Sequence, residues 1–126
     1  MSRVRVSGFD HLVLRCRDVE STLAWYADRL GLDTVRVDEW RRAEVPFPSV
    51  RVDAGTIIDL VEGPTDDGRL DHICIVVEAV DLAALAASGE FDVVSGPARR
   101  FGARGDGTSL YVRDPDGLVV EIRHYG

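Results

Sequence analysis

At 126 residues, with 45% hydrophobic and 29% charged positions, the chain has the length and composition of one globular domain. No apolar run approaches the roughly 18 residues that a membrane span needs, and a formal net charge of −7 leaves no surplus of Lys and Arg with which to grip a phosphate backbone. Membrane insertion and nucleic-acid binding are therefore excluded as expectations.

The opening residues, MSRVRVSGFDHLVL, are basic but contain no apolar stretch followed by a small-residue cleavage site. A cytoplasmic location is the expectation that follows. The first strand falls on Phe9-Asp10-His11-Leu12-Val13-Leu14, and the same pattern returns as Leu70-Asp71-His72-Ile73-Cys74-Ile75, with the two histidines at an offset of 61. Repetition of this kind sets the architecture and is tested before any element is assigned.

After the first strand, Asp18 is a natural N-cap, Val19, Leu23, Tyr26 and Leu30 follow at helical spacing, and Gly31 supplies the stop. Strands are expected around 32–38, 49–53 and 56–62. Region 39–48, with two prolines and no clean period, reads as a loop. Gly63-Pro64-Thr65-Asp66-Asp67-Gly68 links the halves. The second half repeats the plan: Asp81 caps a shorter helix through Leu82, Leu85 and Ala86, Gly89 ends it, and strands are expected around 91–95, 107–113 and 118–124. The glycine-rich, arginine-rich stretch 96–107 reads as a mobile loop. A second marker closes each half, because Gly55-Thr-Ile-Ile-Asp59 matches Gly117-Leu-Val-Val-Glu121 at an offset of 62. Each half, about 7–63 and 69–125, thus carries one histidine early and one carboxylate late, in a βαβββ order.

Strand side chains alternate between faces, so parity tells which residues share a surface. Leu12, Leu14 and Cys16 fall opposite His11; Ile58 and Leu60 fall opposite Asp59. In the second half Ile73, Ile75 and Val77 fall opposite His72, and Leu118, Val120 and Ile122 fall opposite Glu121. The apolar sets belong under the helices, which leaves two imidazoles and two carboxylates on the other wall. Carboxylates in a partly enclosed place are normally paired or bound to metal. Two His nitrogens and two carboxylate oxygens suit one divalent ion, Fe, Ni, Zn, Mn or Co, in six-coordinate geometry with two positions open. Cys16 and Cys74 face oppositely relative to the nearby histidines and read as plain buried thiols.

These residues resemble the vicinal oxygen chelate superfamily, which includes glyoxalase I, the fosfomycin and bleomycin resistance proteins and the extradiol dioxygenases. The likeness rests on FDHLVLRCRDVESTLAWYADRLGL, LDHICIVV and LYVRDPDGLVVEI, in family order and across nearly the whole chain. It implies an α+β fold of two βαβββ modules forming a cup-shaped mixed sheet with helices on the outer face, and commonly a homodimer. It also implies that His11, His72 and Glu121 are metal ligands, with Asp59 at the place of a fourth ligand that is usually Glu. Asp is one methylene shorter, so direct ligation and a role through water both stay open for Asp59.

The resemblance implies a metal that chelates two adjacent oxygens of a small substrate and stabilises the anion that forms. A glyoxalase-like lyase or isomerase would use Glu121 as base and Asp59 as its counterpart. An extradiol ring-cleaving dioxygenase is the alternative, since Tyr111 stands ten residues before Glu121 as in that family, although positions 102–104 read Gly-Ala-Arg where its motif begins with histidine. A metal-free binding protein of the bleomycin-resistance kind is the third reading, and the ligand set counts against it. Arg15, Arg36, Arg51, Arg100, Arg104 and Arg123 are candidates for orienting an anionic substrate, each with a solvated surface role as the plainer expectation, and His124 reads as a surface residue.

Overall fold

The computed structural model describes residues 4–126. It contains eight strands, β1 (Val6–Cys16), β2 (Asp33–Val35), β3 (Ser49–Asp53), β4 (Thr56–Glu62), β5 (Leu70–Val77), β6 (Asp92–Gly102), β7 (Gly105–Arg113) and β8 (Val119–His124). Three helices accompany them: α1 (Val19–Leu30), α2 (Val37–Arg41) and α3 (Leu82–Ala87). The sheet is mixed and the fold is α+β. Among the described residues no helix is long and apolar enough to cross a membrane.

The chain divides into two compact units. The early unit is His11–Asp71, and the late unit joins His72–Gly126 to the residues up to Asp10. Both crossings between units fall inside the repeated Asp-His pairs, Asp10-His11 and Asp71-His72.

In the early unit the strand order is β2-β3-β4-β1. The residues His11 to Cys16 of β1 run parallel to β4, with Val13 opposite Asp59 and Leu14 opposite Leu60, and β3 runs antiparallel to β4 with Ser49 opposite Asp59. Helix α1 starts where the sequence predicts it. The Asp18 carboxylate accepts from the Ser21 N–H at 3.2 Å, and Gly31, at φ 69°, ends the helix in the left-handed region where a side chain is disfavoured. Its inner stripe, Val19 and Leu23 with Tyr26, packs on Leu14, Cys16, Val50, Ile58 and Leu60, the strand faces that parity assigns to the core.

The region 39–48, expected as loop, instead begins within a short helix. In α2, Val37 and Trp40 stand one turn apart and both join the core beneath α1, while Arg41 forks onto the Glu20 carboxylate of α1 at 2.8 and 3.0 Å. This apolar pair spans less than the three to four turns by which helices are usually read, and Pro46 and Pro48 follow at once. β2, expected around 32–38, is only three residues long, because α2 begins at Val37.

In the late unit the order is β1-β5-β8-β7-β6. The start of β1 lies beside the end of β5, where the Glu78 N–H donates to the Arg5 carbonyl at 2.9 Å and the Ser7 hydroxyl to the Val76 carbonyl at 3.4 Å. β8 runs parallel to β5, with Cys74 opposite Glu121, and antiparallel to β7, with Tyr111 opposite Glu121 and Ser109 opposite Arg123. Asp81 caps α3 through the Ala84 N–H at 3.0 Å. Leu82 and Leu85 of α3 pack on Val77, Leu110, Val112 and Ile122.

The stretch 96–107 is not a loop. β6 and β7 form a hairpin that continues to Gly102 opposite Gly105, leaving only Ala103 and Arg104 at the turn. Two of its glycines answer to close packing: a Cβ on Gly102 would stand 1.6 Å from Arg123 Nη1, and one on Gly107 would stand 2.8 Å from the His124 carbonyl oxygen. Composition alone could not separate this use of glycine from chain flexibility.

Two substitutions probe this packing by chemical denaturation. Leu85→Ala, at a side chain 1% exposed in the α3 core, is expected to cost about 2–5 kcal/mol. Gly102→Ala, which must displace the Arg123 guanidinium, is expected to cost roughly 1–3 kcal/mol, and an unchanged midpoint would contradict the close approach.

Candidate functional site

Each unit carries the same small constellation on the strand face turned away from its helix. In the early unit His11 of β1 and Asp59 of β4 share that face, with His11 Nε2 3.6 Å from Asp59 Oδ2. The other carboxylate oxygen, Oδ1, accepts from the Ser49 hydroxyl of β3 at 2.5 Å. In the late unit His72 Nε2 of β5 lies 3.3 Å from Glu121 Oε1 of β8, and Glu121 Oε2 accepts from the Ser109 hydroxyl of β7 at 2.7 Å. Each carboxylate is thus held by a serine through one oxygen and faces an imidazole with the other. Asp59 and Glu121 are 2% and 1% exposed. At that burial an ionised carboxylate needs donors or cations in place of water.

The parity expectation for all four residues agrees with the strand registers within each unit. Ser49 and Ser109 were not singled out by sequence reading, yet they recur at an offset of 60, close to that of the histidines and carboxylates. That near-equality was the available signal.

The late unit carries more. Arg123, expected at the surface, is fully buried. Its Nε donates to Ser109 Oγ at 3.1 Å and lies 3.4 Å from Glu121 Oε2; its Nη1 donates to the Tyr125 hydroxyl at 3.2 Å and to the Gly105 carbonyl at 3.3 Å. Nη2 donates to the Arg100 carbonyl at 2.5 Å. The Tyr125 hydroxyl in turn donates to Asp10 Oδ1, and Asp10 Oδ2 accepts from the Ala103 N–H at 2.9 Å. Burial works against the Arg123 charge, but the Tyr125 hydroxyl and the Glu121 carboxylate more than offset it and hold its pKa above the ordinary arginine value. The tyrosine is pushed up as well, by burial first and then by its bond to Asp10. Parity places Arg123 beside Glu121, but a solvated arginine and a buried one look alike in sequence.

Tyr111 stands edge-on to the His72 ring, with centroids 5.6 Å apart. Burial, followed by the charge of Glu121, pushes its pKa up to about 12. The remaining candidate arginines serve other ends. Arg15 pairs with Asp71 at 3.1 Å and bonds the Pro64 and Gly68 carbonyls, which fastens the linker. Arg36 lies over the Phe47 ring, Arg51 bonds the Asp53 and Ala54 carbonyls in the β3–β4 turn, and Arg104 lies over Tyr125. Arg100 is the exception: exposed on β6, it bonds the neighbouring Arg99 carbonyl and its side chain also bonds Tyr111, where its charge works against the upward shift of that hydroxyl. His124 is half-buried rather than on the surface, and its Nδ1 has no hydrogen-bond partner. Cys16 and Cys74 are buried and are not joined in a disulfide.

Comparison with known proteins bears on the family and the fold. A glyoxalase domain-containing protein, RDO1, of Mycosarcoma maydis is 31% identical over 98% of this chain and 71% of its own length. Among solved structures, the Mn(II)-bound glyoxalase from Novosphingobium aromaticivorans superposes with a TM-score of 0.72 at 25% identity, over 96% of this chain. This chain spans only 40% of that one. Methylmalonyl-CoA epimerase from Mycobacterium tuberculosis shares the fold, with a TM-score of 0.65 at 16% identity over 100% of this chain and 93% of its own. The family model for the Glyoxalase/Bleomycin resistance protein/Dioxygenase superfamily matches residues 8–122, and the chain belongs to that superfamily.

Proposed function

We propose that His11, Asp59, His72 and Glu121 supply the ligands of one divalent metal ion, and that the protein is a glyoxalase-like lyase or isomerase. Its substrate is a small molecule that presents two adjacent oxygens to the ion. The observation that carries this reading is the recurrence, in each unit, of an imidazole, a buried carboxylate and a serine in the same relation. A structural histidine needs no such repetition. Neutral imidazoles and carboxylate oxygens fit Mn, Fe, Co, Ni or Zn alike, and the manganese in the Novosphingobium relative puts Mn(II) among the first ions to test.

Such an ion supplies Lewis acidity, stabilising negative charge as it develops on the two chelated oxygens. The protein supplies the proton transfers. Glu121 Oε1, the oxygen not held by Ser109, would leave the ion to take a proton from the carbon beside a bound substrate oxygen. Asp59 Oδ2, likewise the oxygen not held by its serine, would be the counterpart, giving up a proton only when it enters the cycle protonated and ending ionised as Glu121 ends protonated. Tyr111, its pKa raised to about 12, keeps its proton at neutral pH and can donate a hydrogen bond beside His72. The same placement supports ring-cleaving dioxygenase chemistry as the second reading, because a protonated tyrosine next to a metal-ligating histidine can steady a catecholate.

Protein purified without chelators is expected to carry about one equivalent of metal per chain. His72→Ala should reduce metal affinity by more than the roughly 10–100-fold typical of losing an outer-shell partner, with the far-ultraviolet circular dichroism unchanged; occupancy retained in that variant would sink the site. Turnover of a hemithioacetal without oxygen supports the lyase, and oxygen uptake with a catechol under Fe(II) supports the dioxygenase. A metal-free protein that binds its ligand tightly would support sequestration in place of both.

A titration tests the Tyr111 environment. Its folded-state pKa of about 12 lies above the ordinary 10.0, so the stability it contributes is fully present below pH 10 and is lost as pH rises through 12. Phenolate absorbance should show a late-ionising hydroxyl that Tyr111→Phe removes; ionisation of every tyrosine at the ordinary value would contradict the burial described.

A further inference from the structure

Glu121 differs from an ordinary buried carboxylate in what stands behind it. Ser109 occupies Oε2, and the same serine oxygen is the acceptor for Arg123 Nε, so hydroxyl, guanidinium and carboxylate form one closed triangle of 2.7, 3.1 and 3.4 Å. The guanidinium is not drawn there by Glu121 alone. It is fixed from its far side by the Gly105 and Arg100 carbonyls and by Tyr125, whose hydroxyl is anchored on Asp10, and Gly102 leaves the room it needs. Asp10 is itself held by the Ala103 N–H at the hairpin turn. The partners that satisfy this buried guanidinium also fix its orientation, so that Nε faces Ser109 and Glu121.

We infer that Arg123 is a positioning residue: through Ser109, and anchored by Tyr125 and Asp10, it holds Glu121 by Oε2 and so keeps Oε1 turned toward His72, while the Tyr111 side chain also bonds this carboxylate. The position of Glu121 thereby does not depend on the metal being bound. The inference rests on the metal-centre reading above and adds to it a group that touches neither metal nor substrate. Arg123→Lys keeps the charge but loses the planar fork that reaches Ser109, Tyr125 and two carbonyls at once. Ser109→Ala keeps Arg123 and removes only the hydroxyl between the two.

The test is binding of Mn(II) alone, measured by competition with a chelator and by the electron paramagnetic resonance of the bound ion. Ser109→Ala and Arg123→Lys are each expected to weaken Mn(II) binding about 10–100-fold and to broaden the resonance as the carboxylate gains freedom. Leu85→Ala, which loosens the core of the same unit without touching this network, should lower stability and leave both readouts unchanged. Wild-type binding matched by Ser109→Ala in affinity and line shape overturns the positioning role while leaving the metal centre standing. Should Arg123→Lys fail to fold, Ser109→Ala decides by the same two readouts. A wild-type protein that binds no Mn(II), Fe(II), Co(II), Ni(II) or Zn(II) removes the centre and this inference with it.

Discussion

Asp59 and Glu121 lie on strand faces that carry no helix, with 2% and 1% of their surface open to water, and a charge withdrawn from solvent to that extent persists only where donors or cations replace the lost hydration. The structure answers with a serine on the neighbouring antiparallel strand in each case. Because strand side chains alternate, this answer holds at one register only: a slip of one residue would turn the carboxylate into the helix-side core and bring an apolar side chain to the serine. The register is therefore defended twice, by the apolar stripe beneath α1 or α3 and by the hydroxyl–carboxylate bond above it. Helix caps, turn glycines and the fastening of the linker by Arg15 all serve to keep those registers.

The two units meet the same demand with different means. The early unit leans on a twelve-residue helix, capped at both ends, with α2 extending its core through Val37 and Trp40. The late unit has a helix half that length. It places instead a fully buried arginine behind its carboxylate and builds the long β6–β7 hairpin around it. Burying Arg123 is costly unless most of its donors find acceptors, which accounts for the carbonyls of Arg100 and Gly105 and the tyrosine hydroxyl that converge on it. One hairpin glycine follows from the same requirement, since a side chain on Gly102 would occupy the guanidinium's place.

What could be read from sequence was whatever depended on periodicity and repetition. The Asp-His pairs, the late carboxylates, both helix caps and the core faces of the strands follow from alternation and spacing. Features decided by a single close contact were not legible. A helix of five residues presents one turn of pattern, too little to tell from a loop beside two prolines. Glycines at 102 and 107 that admit a neighbour's atoms have the same letters as glycines that confer mobility. Arg123 and the other five candidate arginines differ only in what surrounds them. The serines lie between these cases, because their offset of 60 was visible but a serine on a strand carries no chemical expectation until a carboxylate is seen opposite.

The substitution of Asp for the usual Glu at the early carboxylate raised the question of reach. Comparing the units answers part of it. In both, the imidazole sits two residues before the position that pairs directly with the carboxylate: Val13 pairs with Asp59 and follows His11, as Cys74 pairs with Glu121 and follows His72. The frames are therefore equivalent, and any shortfall must come from the missing methylene. The separation of carboxylate oxygen and imidazole nitrogen is 3.6 Å in the early unit and 3.3 Å in the late one, a difference much smaller than a carbon–carbon bond. The short Ser49 bond pulls only on Oδ1, and Oδ2 remains turned toward His11. A shorter side chain held in this way still offers one oxygen beside the imidazole of its own unit, as Glu121 does beside His72.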